Sequence, residues 1–370
     1  MRYCLIALAL FSLQAMAGKD DTPLQDHFIK CENRDCSAYT SSKFRMGDSF
    51  LTGRSIEGES FFADADSNRS FNTAFPPKKI IAVHNHNTGQ LYKSGVDYLP
   101  SATGITIPEH SAIAFAPKGF ITTATPEEIK NYGVRVTTEF QAYQYDITYS
   151  KESVFYPKIY GSLGSLASKL GNATVRITFY GDSITQGANA TSSYAPPHQP
   201  AYPELVMARL SELYPGRVEY RNNSVGGWSA INAAKAVDKR VNDLPADLVV
   251  LAFGMNDAGA YAPAEYRKHI KRLIDSIRAK QPDSAILLAT PIRANPQSFI
   301  QKHQYVDGYL ESLTSLAYEY SSVAVVDLTA AWDRILENKR YYDVTGNGLN
   351  HPNDFGHRII AEVVLDAIVK

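Results

Sequence analysis

The sequence predicts an α/β protein in two parts, a β-sandwich followed by a three-layer α/β/α domain on a five-stranded parallel sheet. Three observations lead there. From about residue 40 to 150 the apolar residues form short β-branched and aromatic runs, such as "KKIIAVHNHNTG" and "GITIPEHSAIAFAP", broken by Gly, Pro and Asn. From residue 162 onward, short apolar runs take turns with longer helical stretches, the rhythm of a parallel sheet covered on both faces. The chain has 370 residues, 44% of them hydrophobic, enough for two cores.

The elements follow in chain order. Residues 1–17 read as an export signal: Arg2 is the positive start, residues 4–13 are apolar, and Ala15-Met16-Ala17 offers a small-x-small cleavage site. The apolar run is too short to span a bilayer, and no later stretch is long enough either. The mature chain is therefore expected outside the cytoplasm, secreted or periplasmic. Cys4 is lost with the signal, which leaves Cys31 and Cys36. A disulfide is the expected outcome in an oxidising compartment, because two thiols with no nearby His make a poor metal site.

Residues 18–158 make up the β-sandwich, of jelly-roll type, with one short helical turn at 126–130. Residues 159–370 carry the α/β pattern. Strands are predicted at 175–180, 218–222, 248–253, 285–289 and 323–327. Helices are predicted near 163–170, 202–213, 229–240, 263–280, 297–320, 330–337 and 354–368. No internal repeat or low-complexity segment appears. The formal net charge of −1, with no long charge run, argues against a nucleic-acid or anionic-membrane partner. No phosphate loop, dinucleotide fingerprint or metal-ligand cluster is present, so neither cofactor nor metal is expected. The 23 tyrosines suit either β-sheet packing or a carbohydrate-facing surface.

In such a sheet, reactive groups collect in loops beyond the carboxyl ends of the strands. The first strand runs directly into "YGDSITQG", placing the Ser183 hydroxyl at a helix start. The next strands run into "RNNSVGGWSA", "FGMNDAG" and "TPIRANP", and "GNGLNHPNDFGH" precedes the last helix. Acyl transfer asks for a nucleophile, a base beside it and N–H donors for an oxyanion. Ser183 is the candidate nucleophile. His351 is the candidate base, since a neutral imidazole accepts a proton near neutral pH. Gly226 or Gly227 can bring a main-chain N–H close to substrate, and Asn256 offers a side-chain amide.

These four blocks, "GDSIT", "SVGG", "GMND" and "NHPND", resemble the signatures of the SGNH, or GDSL-like, hydrolases in order and spacing over residues 170–370. The resemblance implies that Ser183 attacks an ester carbonyl, with His351 as base. It implies an oxyanion hole made by the Ser183 N–H, the Gly227 N–H and the Asn256 side chain. One position departs from the pattern. The family usually has Asp three residues before the histidine, where this chain has Gly348. A backbone carbonyl would then orient His351 in a Ser–His dyad, or a carboxylate such as Asp343 or Asp354 would take over. A β-rich domain ahead of such a hydrolase looks like carbohydrate esterase family 2, whose members also tend to lack the acid. That likeness implies removal of small acyl groups, chiefly acetate, from an acetylated oligo- or polysaccharide. The competing readings are a carbohydrate O-acyltransferase, a lipase or thioesterase, and a non-catalytic carbohydrate-binding protein.

Other residues have plainer expectations. Trp228 and Arg293 are candidate substrate contacts, the first as a sugar platform or pocket wall. Asp182, Asp257 and Asn350 are expected to brace their loops. His357 belongs to the last helix. The long connection "ANATSSYAPPHQPAYPE" is expected to line the site, with His198 at its rim.

Overall fold

Alternate residues of a strand point to opposite faces, so a strand buried on both sides must be apolar throughout. The run Leu248–Ala252, "LVVLA", meets that demand. Val250 joins one apolar cluster, whereas Val249 and Leu251 join the cluster on the other face. The same split holds along Ala285–Ala289 and Val323–Val326. The first cluster is covered by helices Tyr202–Leu213 and Asp354–Val369, the second by Ala230–Val237, Pro263–Lys280 and Tyr309–Glu319. Each large aliphatic side chain buried this way contributes about 1.5–3 kcal/mol. Three layers result.

The computed structural model describes residues 22–30, 49–192 and 194–370. The expected export signal and the Cys31–Cys36 pair lie outside the described residues. In chain order the strands are β1 (Ile29–Lys30), β2 (Ser55–Phe62), β3 (Ser70–Asn72), β4 (Pro77–Asn85), β5 (Leu99–Pro100), β6 (Gly104–Thr106) and β7 (Gln144–Lys151). There follow β8 (Ile159–Gly161), β9 (Val175–Gly181), β10 (Val218–Asn222), β11 (Leu248–Ala252), β12 (Ala285–Ala289) and β13 (Val323–Val326). The expected five-stranded sheet is the centre of a seven-stranded one, ordered β1-β10-β9-β11-β12-β13-β8. Strands β10, β9, β11, β12 and β13 run parallel, and β1 and β8 close the edges antiparallel. The strand order reverses beside β9, and ligands in such sheets bind at that crevice. Ser183 follows β9 directly.

The amino-terminal unit holds two antiparallel sheets, β2-β7-β4 and β3-β6-β5. That is three strands each among the described residues, short of the eight of a jelly-roll. The sheets meet through Phe61 and Phe71, ring centroids 4.8 Å apart. One apolar cluster runs on from this unit into the helix layer, with Phe50 and Phe355 5.5 Å apart. The junction also buries polar pairs. Lys339 Nζ lies 3.1 Å from Glu59 Oε1, both side chains fully enclosed. Glu362 accepts hydrogen bonds from the Phe50 N–H at 2.8 Å and the Leu51 N–H at 3.2 Å. Leaving one member of such a buried pair alone is costly, so these contacts hold the junction together alongside the apolar ones.

One helix starts later than its pattern suggests. Instead of residue 297, helical structure begins with His303–Asp307 and resumes at Tyr309–Glu319. Asn295 explains the delay. It ties the preceding loop to the segment around His351, taking the Leu349 carbonyl on its N–H at 2.7 Å and donating Nδ2 to the Gly348 carbonyl at 3.0 Å. No helix among the described residues is long and apolar enough to cross a membrane.

Candidate active site

Where β9 ends, Asp182 takes an extended conformation and its carboxylate accepts the Ile184 N–H at 3.0 Å. That cap starts the single helical turn Ser183–Gln186. The Ser183 N–H therefore opens a turn, where amides lack intrahelical partners. The part-exposed Ser183 Oγ lies 2.9 Å from His351 Nε2. Asp182 is enclosed, and burial pushes its carboxyl up to about 7. It is bound to the backbone, as the sequence suggests.

His351 sits on a loop wound around one side chain. Asn347 Oδ1 accepts the N–H groups of Leu349, Asn350 and His351 at 2.9, 3.0 and 3.1 Å. Asn350 Oδ1 accepts from Asn347 Nδ2 at 3.1 Å. His351 itself is buried, and burial, helped by nearby His357, lowers its imidazole to about 4. The ring is neutral at neutral pH.

Its other nitrogen, Nδ1, lies 3.1 Å from Oδ1 of Asn189. An amide oxygen only accepts, so Nδ1 carries the hydrogen and Nε2 keeps a lone pair for the serine hydroxyl. The two carboxylates considered for this role are engaged elsewhere. Asp343 accepts the Phe62 N–H at 2.8 Å and pairs with Arg340 at 3.1 Å. Asp354 accepts the Thr191 N–H at 2.8 Å and faces His86 Nε2 at 2.9 Å. The expected backbone carbonyl is replaced by a side-chain amide. Gly348, where an acid would sit, has φ +72°. A Cβ there would stand 2.6 Å from the Phe140 ring, so no side chain fits.

Across from the serine, the Ser224–Gly227 loop passes close by. A Cβ on Gly226 would lie 3.7 Å from Ser183 Cβ, and the Gly226 N–H is held by Gln186 Oε1 at 3.1 Å. Gly227, at φ +77°, faces open space, and its N–H has no hydrogen-bond partner among the described residues. Asn256 Nδ2 donates one hydrogen to the Trp228 carbonyl at 2.9 Å, and its second hydrogen has no partner among the described residues. Asp257 accepts the Ala230 N–H at 3.0 Å and braces both loops, with burial pushing its carboxyl up to about 7.

The two candidate substrate contacts, Trp228 and Arg293, are both engaged by other side chains. The Trp228 ring is only 8% exposed, tilted edge-on to Tyr180 with the Arg240 guanidinium 5.1 Å over it, so it offers no open sugar platform. What Trp228 contributes is the carbonyl that orients Asn256. Arg293 pairs with Asp333 at 2.9 Å and Asp307 at 2.8 Å, which occupies its guanidinium. His198 is exposed, with Nδ1 2.7 Å from the Ser192 carbonyl. His357 is buried and its Nε2 donates to the Ala188 carbonyl at 3.0 Å. Sequence reasoning missed Asn189 and Asn347. Their only signal was membership of loops already expected at the site, Asn189 as the one Asn of the long connection and Asn347 in an Asn-rich stretch.

The described residues include no group of three or more His, Cys, Asp or Glu arranged to hold a metal ion. No curated protein matches the chain. Among solved structures, it is similar to Axe2, an acetylxylan esterase from Geobacillus stearothermophilus, at 22% identity over 53% of this chain and 94% of that chain, TM-score 0.44. It is also similar to LAE5, an alpha/beta hydrolase enzyme from the metagenome of Lake Arreo, at 23% identity over 54% of this chain and 97% of that chain, TM-score 0.44. The segment that holds Ser183, Gly227, Asn256 and His351 matches a family model from residue 179 to 359. That model is the one for the GDSL-like lipase/acylhydrolase family, and the matched segment is just under half of the chain.

Proposed function

We propose that this chain is a secreted serine esterase that removes acetyl groups from carbohydrate hydroxyls through an acyl-enzyme. The reading rests chiefly on one contact, Ser183 Oγ at 2.9 Å from the neutral, buried Nε2 of His351. As Ser183 Oγ attacks the ester carbonyl, its proton passes to His351 Nε2. The tetrahedral oxyanion meets the N–H groups of Ser183 and Gly227 and the spare amide hydrogen of Asn256. His351 then hands the proton to the departing sugar oxygen, leaving acetyl-Ser183. Water then attacks the acyl carbon while giving a proton to His351; the Ser183 Oγ–acyl bond breaks, acetate leaves, and His351 returns the proton to Ser183 Oγ. Asn189 holds the imidazole in the required tautomer and stabilises the imidazolium less than a carboxylate would, since it carries no charge.

The carbohydrate side of the reading draws on the polar rim. Gln186 holds the Gly226 N–H beside the serine, Asn189 meets the far side of His351, and Tyr194, 53% exposed, lies beside Asn189. Such a rim suits a hydroxyl-rich alcohol better than a lipid chain. Secretion draws on residues 1–17, and the mature chain should begin at Gly18. The test is direct. The native chain should release acetate from p-nitrophenyl acetate and from a peracetylated sugar, and a fluorophosphonate should label Ser183. Full activity in Ser183→Ala, or label on another residue, would remove the serine mechanism.

A further inference from the structure

The stretches Gly187–Ser192 and Tyr194–Gln199 are irregular, yet groups from two sides pin them. Asn189 has a left-handed backbone, φ 63°, a region that costs a non-glycine residue energy and needs contacts to hold it. Those contacts come from the amino-terminal unit. Gln141, on the 3-10 turn Thr138–Tyr143, donates Nε2 to the Asn189 carbonyl at 3.0 Å and to the Tyr194 hydroxyl at 2.6 Å. The Tyr194 hydroxyl in turn donates to the same Asn189 carbonyl at 3.2 Å. Gln141 is buried, and its own carbonyl accepts from Asn87 Nδ2 at 3.2 Å.

A second tether reaches the same segment two residues on. The N–H and hydroxyl of Thr191 both donate to the Asp354 carboxylate, at 2.8 and 2.6 Å. Behind Asp354 stands His86, with Nε2 2.9 Å from Asp354 and Nδ1 2.8 Å from Asp146. Carboxylates only accept, so both ring nitrogens carry hydrogens and His86 is an imidazolium. Burial opposes that charge, but Asp146 and Asp354 outweigh it and push the imidazole up to about 10. His84 Nε2 lies 3.2 Å from the same Asp146 oxygen.

We propose that the amino-terminal unit is a positioning element for the reaction: Gln141, backed by His86 acting through Asp354 and Thr191, holds Asn189 where it orients His351. The proposal rests on the serine-esterase reading above. Without the Gln141 donor, the Asn189 backbone relaxes out of the left-handed region and its amide leaves Nδ1. His351 is then free to carry its hydrogen on Nε2, a tautomer that cannot take the serine proton.

Gln141→Met keeps the length of the side chain and removes both donors. In the full chain it should lower kcat on p-nitrophenyl acetate by about 10- to 100-fold with KM nearly unchanged, the scale of a small misplacement at the reacting atoms. Nitrogen-15 spectra of histidine-labelled protein supply a readout that mere loss of stability does not move. His351 should show one Nδ1–H tautomer in the native chain and a mixture in Gln141→Met, with His351→Ala assigning the signals. His86→Gln, which reaches only one of the two aspartates, should change both readouts in the same direction and serves if Gln141→Met does not fold. A folded variant with native kcat and a native His351 tautomer overturns the proposal. Ser183→Ala, assayed alongside, separates the two ideas. If it is inactive while Gln141→Met is unperturbed, only the positioning role falls; if it is fully active, both fall.

Discussion

Asn189 Oδ1 and His351 Nδ1, 162 residues apart in sequence, meet at 3.1 Å on the side of the imidazole that faces away from Ser183. An amide in this place can fix the tautomer and ring plane. It cannot neutralise the imidazolium formed when the serine proton arrives. The consequence is a base whose affinity for protons is set by its enclosure.

Asn189→Ala should therefore lose kcat by about 100-fold or more, bounded by the roughly 10,000-fold loss that a wrong tautomer causes in serine protease triads. Asn189→Asp should keep activity but raise the imidazole, since an adjacent carboxylate favours the charged ring. Rate profiles against pH for the two variants check this. Native kcat in Asn189→Ala would show that the contact is incidental.

The pH dependence follows from the burial of His351. Its imidazole lies at about 4, so the ring stays neutral and able to accept a proton down to mildly acidic pH. The kcat/KM for a neutral acetyl ester should stay level from pH 8 to about 5 and fall by half near pH 4, whereas an unperturbed imidazole would give the half-point near 6.5. Because the folded form holds this histidine neutral more firmly than the unfolded chain does, its contribution to stability is present above about 6.5 and declines as pH falls toward 4. Circular dichroism over the same range separates the two effects.

Asn256→Ala should lower kcat by about 100- to 1000-fold with little change in KM, the loss expected for one oxyanion donor. Its fold should persist, because the lost bond to the Trp228 carbonyl is only part-buried. A wild-type kcat would reduce Asn256 to a loop brace.

Lys339→Met removes the partner of a fully enclosed Glu59. Breaking such a pair on one side costs about 3–5 kcal/mol, and replacing both members together by apolar residues costs much less. Urea unfolding of Lys339→Met and of Lys339→Met/Glu59→Met should show that order. Equal stabilities would mean the pair is solvated in solution.

Much of the large sheet was legible because burial on both faces leaves no choice of residue type. Runs such as "LVVLA" and "AILLA" cannot be anything but core, and each ends in a loop rich in Gly, Asn or Ser. The edge strands β1 and β8 were not legible, at two and three residues with mixed burial. Ser183 and His351 could be proposed from chemistry, since few side chains serve as nucleophile or base. Asn189 could not. Nothing in the sequence marks its amide as a partner for His351, and what singles it out is a left-handed backbone held from another part of the chain. Trp228 misled for a similar reason. An aromatic beside a flexible glycine suggests an exposed face, but Trp228, just ahead of the Ser229 cap of helix Ala230–Val237, turns its ring into the core.

The packing of Phe50 on Phe355 has a bearing on how this chain is inherited. An appendage that merely tethers an enzyme to its substrate can be lost, duplicated or exchanged between genes at little cost. Here the last helix shares its apolar face with the first sheets, so a gene fragment beginning at residue 159 would encode a protein with a wet, open flank. Recombination should tend to move the two halves together, with compensating changes falling in pairs across their seam.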